Sequence, residues 1–329
     1  MYTFSEIKGN EFIIKNLQNG VKNNKVNHSY IFDGQSGMGK TFLAKTFAKT
    51  LQCERGEVTP CNICVSCKSF DSLNHPDVIY IEPKKSVISV EQVRESIVKT
   101  MAVKPYKYNY KIIIVDNADT MTTAAQNAIL KTIEEPPAYG VFLFVSTNIN
   151  NFLPTILSRC VSFKLKPLSN SEVKQHLQNT TNISDNELLD FYVAYAEGNI
   201  GYAEKLIKEE NFLNMRELII DMILNLREKS VTGVFSQFKV IDEFKSNIED
   251  VLDIMCLYFR DAILAKDIGT SHILQKDKER IISQYIEDLS LNTLFNRLEA
   301  VYEARESLRK NGNFQMTIEV MMLKLRRKD

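Results

Sequence analysis

The sequence predicts an α/β domain built on a five-stranded parallel sheet, followed by a small three-helix domain and an all-α C-terminal domain. Three observations predict it. Residues 34–41, GQSGMGKT, fit GxxxxGK[ST] at every defined position, through Gly34, Gly39, Lys40 and Thr41. Short apolar runs alternate with helical patterns as far as Leu165. At Pro167-Leu168-Ser169 that alternation stops, and only helical periodicity continues. The expected domains are therefore 1–166, 167–208 and 209–329, a division suited to a chain of 329 residues.

The first domain opens with an amphipathic helix whose apolar face is expected to carry Phe12, Ile13, Leu17 and Val21, ended by Asn23-Asn24. His28 is read as a packing or hydrogen-bonding residue, since no acid accompanies it. Ser29-Tyr30-Ile31-Phe32 is the first strand, and Phe42, Leu43, Phe47, Ala48 and Leu51 recur at helical spacing after the glycine loop. A strand before the loop and a helix after it are the context in which this motif binds phosphate. Gly34, Gly37 and Gly39 let backbone N–H groups turn inward toward phosphate oxygens, and the helix N-terminus adds positive potential. Lys40 is expected to reach the β- and γ-phosphates and the Thr41 hydroxyl to ligand Mg²⁺, so the expected ligand is ATP or ADP with Mg²⁺.

Four of the six cysteines, Cys53, Cys61, Cys64 and Cys67, form C-x7-C-x2-C-x2-C. Four thiolates suit a closed tetrahedral Zn²⁺ site, a structural rather than a catalytic one. An iron–sulfur cluster is the rival reading.

Val78–Ile81 is the second strand, after the turn His75-Pro76-Asp77. Ser89 with Gln92 resembles a capping box, and Val90, Val93 and Ile97 form the buried stripe of the helix that follows. Lys111–Asp116, KIIIVD, reads as a strand buried on both faces and ending in an acid. An acid there lies where ligands bind in open α/β sheets, so Asp116 is a candidate to hold Mg²⁺. The alternative is a helix N-cap, a role Thr120 or Thr123 could also fill. Asn117 follows where many such ATPases carry a water-activating glutamate, and an amide cannot take a proton. Asp119 is expected to point elsewhere. The sequence thus argues for nucleotide binding with weak or absent hydrolysis. Ala124–Glu135 is helical and stopped by Pro136-Pro137; Val141–Val145 is a fourth strand leading into Ser146-Thr147-Asn148. Thr147 or Asn148 either contacts a γ-phosphate or its water, or merely forms a turn. LPTILSRC then leads into a fifth strand, Val161–Leu165. Arg159 is either an ordinary surface arginine or an arginine finger acting in trans on a neighbour's phosphates.

Capping boxes at Ser169/Glu172 and Ser184/Glu187 start two short helices, and Gly198-Asn199-Ile200-Gly201 starts a third. Helical runs follow at 213–226, 248–265, 280–285, 291–308 and 317–325, with no catalytic cluster among them. Cys256 reads as core, His272 as a loop residue, and the tail LKLRRKD as a solvated basic end. Basic and acidic residues balance at 41 each, so a protein gripping DNA alone is not expected. With no N-terminal apolar segment and no run near 18 apolar residues, a cytoplasmic protein without membrane contact is expected.

The order of phosphate loop, four-cysteine insertion, KIIIVDNAD, NAILKTIEEPP and LPTILSRC resembles the AAA+ subunits of the bacterial DNA polymerase III clamp loader. The specific motifs lie in the first 165 or so residues. The helical remainder has no motif of its own. The resemblance implies an AAA+ domain, a helical lid and a C-terminal collar. Within the family, Asn117, Gly201 at the place of the motor's phosphate-sensing arginine, and the segment HPDVIYIEPKKSVISVEQVRES favour the delta-prime type over the gamma/tau motor type. The intact phosphate loop points the other way. The resemblance implies a stator with motor (gamma/tau) and delta subunits as partners. It further implies the sliding clamp and primed DNA within the complex, Arg159 given to a neighbouring ATPase site, and zinc bracing the first domain. The alternatives are an active gamma/tau-like motor and, outside the family, a P-loop kinase or partition-type switch.

Overall fold

The computed structural model describes residues 2–84, 86–181, 183–209, 211–226 and 231–326. It divides into two compact units: the chain up to Val173 together with Gly198–Tyr202, and Lys174–Glu197 together with the chain from Ala203.

The first unit carries helix α1 (Glu11–Lys22), strand β1 (Ser29–Asp33), α2 (Lys40–Gln52), α3 (Val65–Asp71) and β2 (Val78–Ile81). Next come α4 (Val90–Val93), a π-helical turn at Arg94–Val98, α5 (Lys99–Met101) and β3 (Lys111–Val115). Then follow α6 (Thr123–Glu134), β4 (Gly140–Ser146), α7 (Pro154–Leu157) and β5 (Val161–Lys164). All strand pairs are parallel, in the order β2-β3-β4-β1-β5. That is the P-loop AAA+ arrangement, and all five expected strands are present. The inner strands are buried on both faces, which is why they read as unbroken apolar runs. Tyr30, Phe32, Ile112, Ile114 and Leu143 face α1 and α2, meeting Leu17, Leu43 and Phe47. Ile31, Ile113, Phe142 and Phe144 face the other side, with Ile97, Ile129 and Ile133.

Three local expectations are corrected. Phe12 is 76% exposed; the buried stripe of α1 is Ile13 and Leu17, flanked by Ile14 and Val21. Helical spacing defines a stripe, but the sheet's position decides which edge of it is covered. Neither Thr120 nor Thr123 caps α6: Thr122 does, its Oγ1 accepting from the N–H of Ala125 at 3.2 Å. At the third site Asp185, rather than Ser184, accepts the N–H groups of Glu187 and Leu188. A carboxylate at this position adds a favourable charge at the positive end of the helix.

The Ser169/Glu172 box forms in both directions: Ser169 N–H donates to Glu172 Oε2 at 2.8 Å, and Glu172 N–H donates to Ser169 Oγ at 3.3 Å. It starts α8 (Asn170–Thr180), followed by α9 (Asn186–Tyr195) and α10 (Ile200–Lys208).

In the second unit α11 (Phe212–Leu226), α12 (Val231–Glu243), α13 (Ile248–Ile268), α14 (Glu279–Ile286), α15 (Leu291–Arg309) and α16 (Phe314–Arg326) complete the chain. The helix α12 has no counterpart among the helical runs expected from sequence. Val251, Leu252, Met255, Tyr258 and Phe259 form one buried stripe along α13. Arg216 is buried against the Phe191 ring, paired with Asp277 at 2.6 Å and bonded to Gln275. The basic tail is only partly solvated, since Leu325 is buried and Lys324 pairs with Glu303; 327–329 lie outside the described residues. Among the described residues no helix is long and apolar enough to cross a membrane.

Candidate functional site

The glycine loop runs from the end of β1 to the first residue of α2. It borders a cavity of about 360 Å³ lined by Ser36, Gly37, Gly39, Lys40, Thr41, Phe42, Asp116, Asn117, Val145 and Thr147. Seven of the residues singled out from sequence therefore belong to one structure: Gly37, Gly39, Lys40, Thr41, Asp116 and Thr147 line the cavity, and Gly34 opens the loop. Gly39 is the N-cap of α2 with φ of 80°, a left-handed conformation that favours glycine. Lys40 is 5% exposed, and its Nζ donates to the carbonyls of Gly34 (2.7 Å) and Gln35 (2.6 Å). Burial pushes its pKa down, opposed by the carboxylates of Asp116, Asp33 and Asp119.

Asp116 directly follows β3, the strand between β2 and β4, and lies against the first turn of α2. Its carboxylate accepts from Thr41 Oγ1 (3.0 and 3.2 Å), from the Asn117 N–H (3.0 Å) and from the Tyr80 hydroxyl. Burial and the adjacent Asp116 charge raise the Tyr80 pKa. Asn117 occupies the left-handed region at φ 48° and lines the cavity, placing an amide beside Asp116. Asp119 is not among the residues that line the cavity. It is buried and accepts from the Thr147 N–H (3.2 Å) and Oγ1 (2.7 Å). Thr147 thus lines the cavity with its hydroxyl already committed, whereas Asn148 caps the turn at Ile149–Asn151 through the N–H of Asn150.

The stretch Gly198–Tyr202 clasps the loop from outside. Asn199 Nδ2 donates to the Ser36 carbonyl at 2.6 Å and Gly201 N–H to the Gly37 carbonyl at 3.1 Å. A Cβ on Gly201 would lie 2.5 Å from the Gly37 carbonyl oxygen and 2.8 Å from its Cα. Both obstacles are backbone, so no side chain fits at 201 while this contact is made. Gly201→Ala is expected to cost about 1–3 kcal/mol, the usual penalty of overpacking. Urea denaturation of the full chain measures it, and an unchanged midpoint would mean the clasp is not a stable part of the fold.

Arg159 lies outside this cavity, after α7. Its Nη2 pairs with Glu134 at 3.0 Å and its Nη1 donates to the Thr155 carbonyl (2.8 Å) and Ser158 Oγ (3.0 Å).

The second constellation is the cysteine cluster, whose four sulfurs lie within 4.8 Å of one another. Cys53 caps the C-terminus of α2, and Cys64 caps the N-terminus of α3, where Cys67 lies. Backbone N–H groups already point at three sulfurs: Cys61 N to Cys53 (3.3 Å), Cys64 N to Cys61 (3.4 Å) and Cys67 N to Cys64 (3.4 Å). The backbone N–H of Ile63 helps bring the Cys61 thiol down to about 6, while burial pushes those of Cys53 and Cys67 up. Four converging sulfurs with N–H donors fit a thiolate-bound metal ion. Lys49, fully buried in α2, ties the cluster to the phosphate helix by donating to Asn62 Oδ1 (2.5 Å) and pairing with Asp71 (2.7 Å).

From sequence, Tyr80 is only a strand residue and Asn199 only part of a helix start, Lys49 carries no role, and Asp119 has no partner. Only Asp119 carried a local signal, an acid three residues after Asp116. The others act across elements and left none.

Comparison with known proteins follows the same division. The family model "DNA polymerase III, delta subunit" matches residues 9–169, and "DNA polymerase III, delta subunit, C terminal" matches residues 210–327. The chain is 40% identical over 176 residues to DNA polymerase III subunit tau/gamma of Haemophilus influenzae, covering 53% of this chain and 25% of that protein. It is 26% identical over 345 residues to subunit tau of Bacillus subtilis, covering 98% of this chain and 61% of that protein. It is also 26% identical over 316 residues to subunit delta' of Bacillus subtilis, covering 95% of each. The chain therefore spans a quarter of the first relative, somewhat under two thirds of the second and nearly all of the third.

Proposed function

The chain belongs to the DNA polymerase III clamp-loader subunit family, and from that premise we propose that it is a delta-prime-type subunit with weak or no ATP hydrolysis of its own. The observation that carries this reading is the lining of the cavity. Asp116 is its only carboxylate among the described residues, and three of the chain's own donors already engage it. Asn117 cannot accept a proton from water, and Asp119 is occupied by Thr147. The backbone contact of Gly201 with Gly37 further supports it, because it leaves no room for a phosphate-sensing arginine there.

In this reading Lys40, Thr41 and the loop N–H groups hold the phosphates of ATP or ADP, and Thr41 and Asp116 are the residues that would hold Mg²⁺ where it binds. Bound Mg²⁺ supplies charge neutralisation of the phosphates. The AAA+ domain (1–166) is joined by the lid (167–208) to the collar (209–329), which holds it beside motor (gamma/tau) and delta subunits in the cytoplasm. Arg159 serves the ATP site of a neighbouring motor subunit, stabilising charge on the transferring phosphoryl group. The subunit acts as a stator while the complex loads the sliding clamp onto primed DNA. Zn²⁺ on Cys53, Cys61, Cys64 and Cys67 braces the first domain and takes no part in the chemistry.

A gamma/tau-like motor is the second reading, favoured by the intact phosphate loop and the near-full-length likeness to tau. Steady-state ATP turnover by the isolated chain separates the two. Under our reading turnover stays at background and Lys40→Ala does not change it, while filter binding shows Lys40-dependent retention of nucleotide. Robust turnover lost on Lys40→Ala would make the chain a motor.

A further inference from the structure

We propose that Tyr80 is a specificity-determining residue of the phosphate-loop cavity: it caps Asp116 and makes nucleotide binding here largely independent of Mg²⁺. This rests on the nucleotide-binding reading of the cavity and concerns how the metal is disfavoured.

Tyr80 lies on the edge strand β2, opposite Ile114 of β3. Asp116 follows that strand by one residue, and its N–H is held by the Ile81 carbonyl at 2.8 Å, so register places the two side chains together. The ring is steadied by Lys45 of α2, whose Nζ lies 4.3 Å from the ring centroid. The Tyr80 hydroxyl donates to Asp116 Oδ2, while Thr41 reaches both oxygens and the Asn117 N–H takes Oδ1.

These donors are not equivalent toward a metal. Thr41 can donate its proton to Asp116 and still offer an oxygen lone pair to a cation. The Asn117 N–H is a backbone feature that leaves Oδ2 open. The Tyr80 proton takes up an acceptor site on Oδ2, which leaves the carboxylate fewer sites to receive a metal-bound water. Mg²⁺ dehydrates reluctantly and is usually held through carboxylates and retained waters, so losing that acceptor weakens it directly.

The test is the affinity of the full chain for mant-ADP, titrated by fluorescence in MgCl₂ and in EDTA, for the parent chain and for Tyr80→Phe. The ratio of the two affinities is the readout, because a substitution that merely loosened the fold would lower both. For the parent chain the ratio is expected to stay below about threefold, and for Tyr80→Phe to rise by about tenfold or more, the scale of one hydrogen bond to a charged group. Tyr80→Leu should behave like Tyr80→Phe, which guards against an effect particular to the new ring. A parent chain as Mg²⁺-dependent as the variants, or variants as indifferent as the parent, overturns the proposal. Absence of mant-ADP binding by every chain in both buffers overturns the nucleotide-binding reading, and the proposal with it.

Discussion

If Arg159 acts as a finger in trans, Arg159→Ala is expected to slow hydrolysis at the neighbouring subunit's ATP site by about 10³-fold or more, the range in which arginine fingers operate. The geometry supports an arginine poised at a surface. Its side chain is 37% exposed and that of its partner Glu134 is 43% exposed. Ion pairs so open to water contribute about 0–1 kcal/mol, so exchanging Glu134 for a phosphate costs little. The contacts to the Thr155 carbonyl and Ser158 Oγ meanwhile fix one side of the guanidinium. Arg159→Lys is expected to recover little, since an ammonium lacks the planar fork that engages two phosphate oxygens. The measurement is steady-state ATP turnover by a loader reconstituted with this chain, primed DNA and sliding clamp. Turnover indifferent to both substitutions would leave the fold standing and remove Arg159 from the mechanism.

Loss of the metal is expected to have the second large effect, on stability rather than rate. The isolated chain should carry about one zinc per molecule, released by a mercurial reagent. Cys64→Ser removes a thiolate while leaving a hydroxyl that can still accept the Cys67 N–H at the start of α3. Structural zinc contributes about 10–16 kcal/mol in small zinc-finger peptides. Here the sheet has its own core on both faces, so only the segment between α2 and β2 should depend on the ion. A cost of about 3 kcal/mol would lower the melting temperature by roughly 6–12 °C for a domain of this size. Amide exchange should rise over residues 53–77 and stay slow in β1, β3 and β4. A metal-stripped parent chain with the same melting temperature as the zinc-loaded parent would remove the bracing role.

Much of this was legible locally. The glycine loop, the cysteine spacing and the apolar runs are contiguous patterns, in which neighbours along the chain are neighbours in space. Such patterns determined the parallel sheet, the phosphate loop at the first strand end, the acid at the end of β3 and the four converging sulfurs. Asn117 was equally legible, because its meaning depends only on following Asp116.

What tertiary structure alone decided are contacts between elements whose relative register no local pattern encodes. Tyr80 reaches Asp116 because β2 and β3 pair in one register. Asp119 holds Thr147 because the turns after β3 and β4 lie side by side. Gly201 rests on Gly37 because the chain returns to the loop after α9, and its missing side chain has meaning only there. Phe12 shows the same limit at a smaller scale: periodicity gave it a place on an apolar stripe, and the position of the sheet left it in water. A side chain's neighbours along the chain are fixed by covalent geometry, whereas its neighbours across the fold are fixed by how all the layers pack at once.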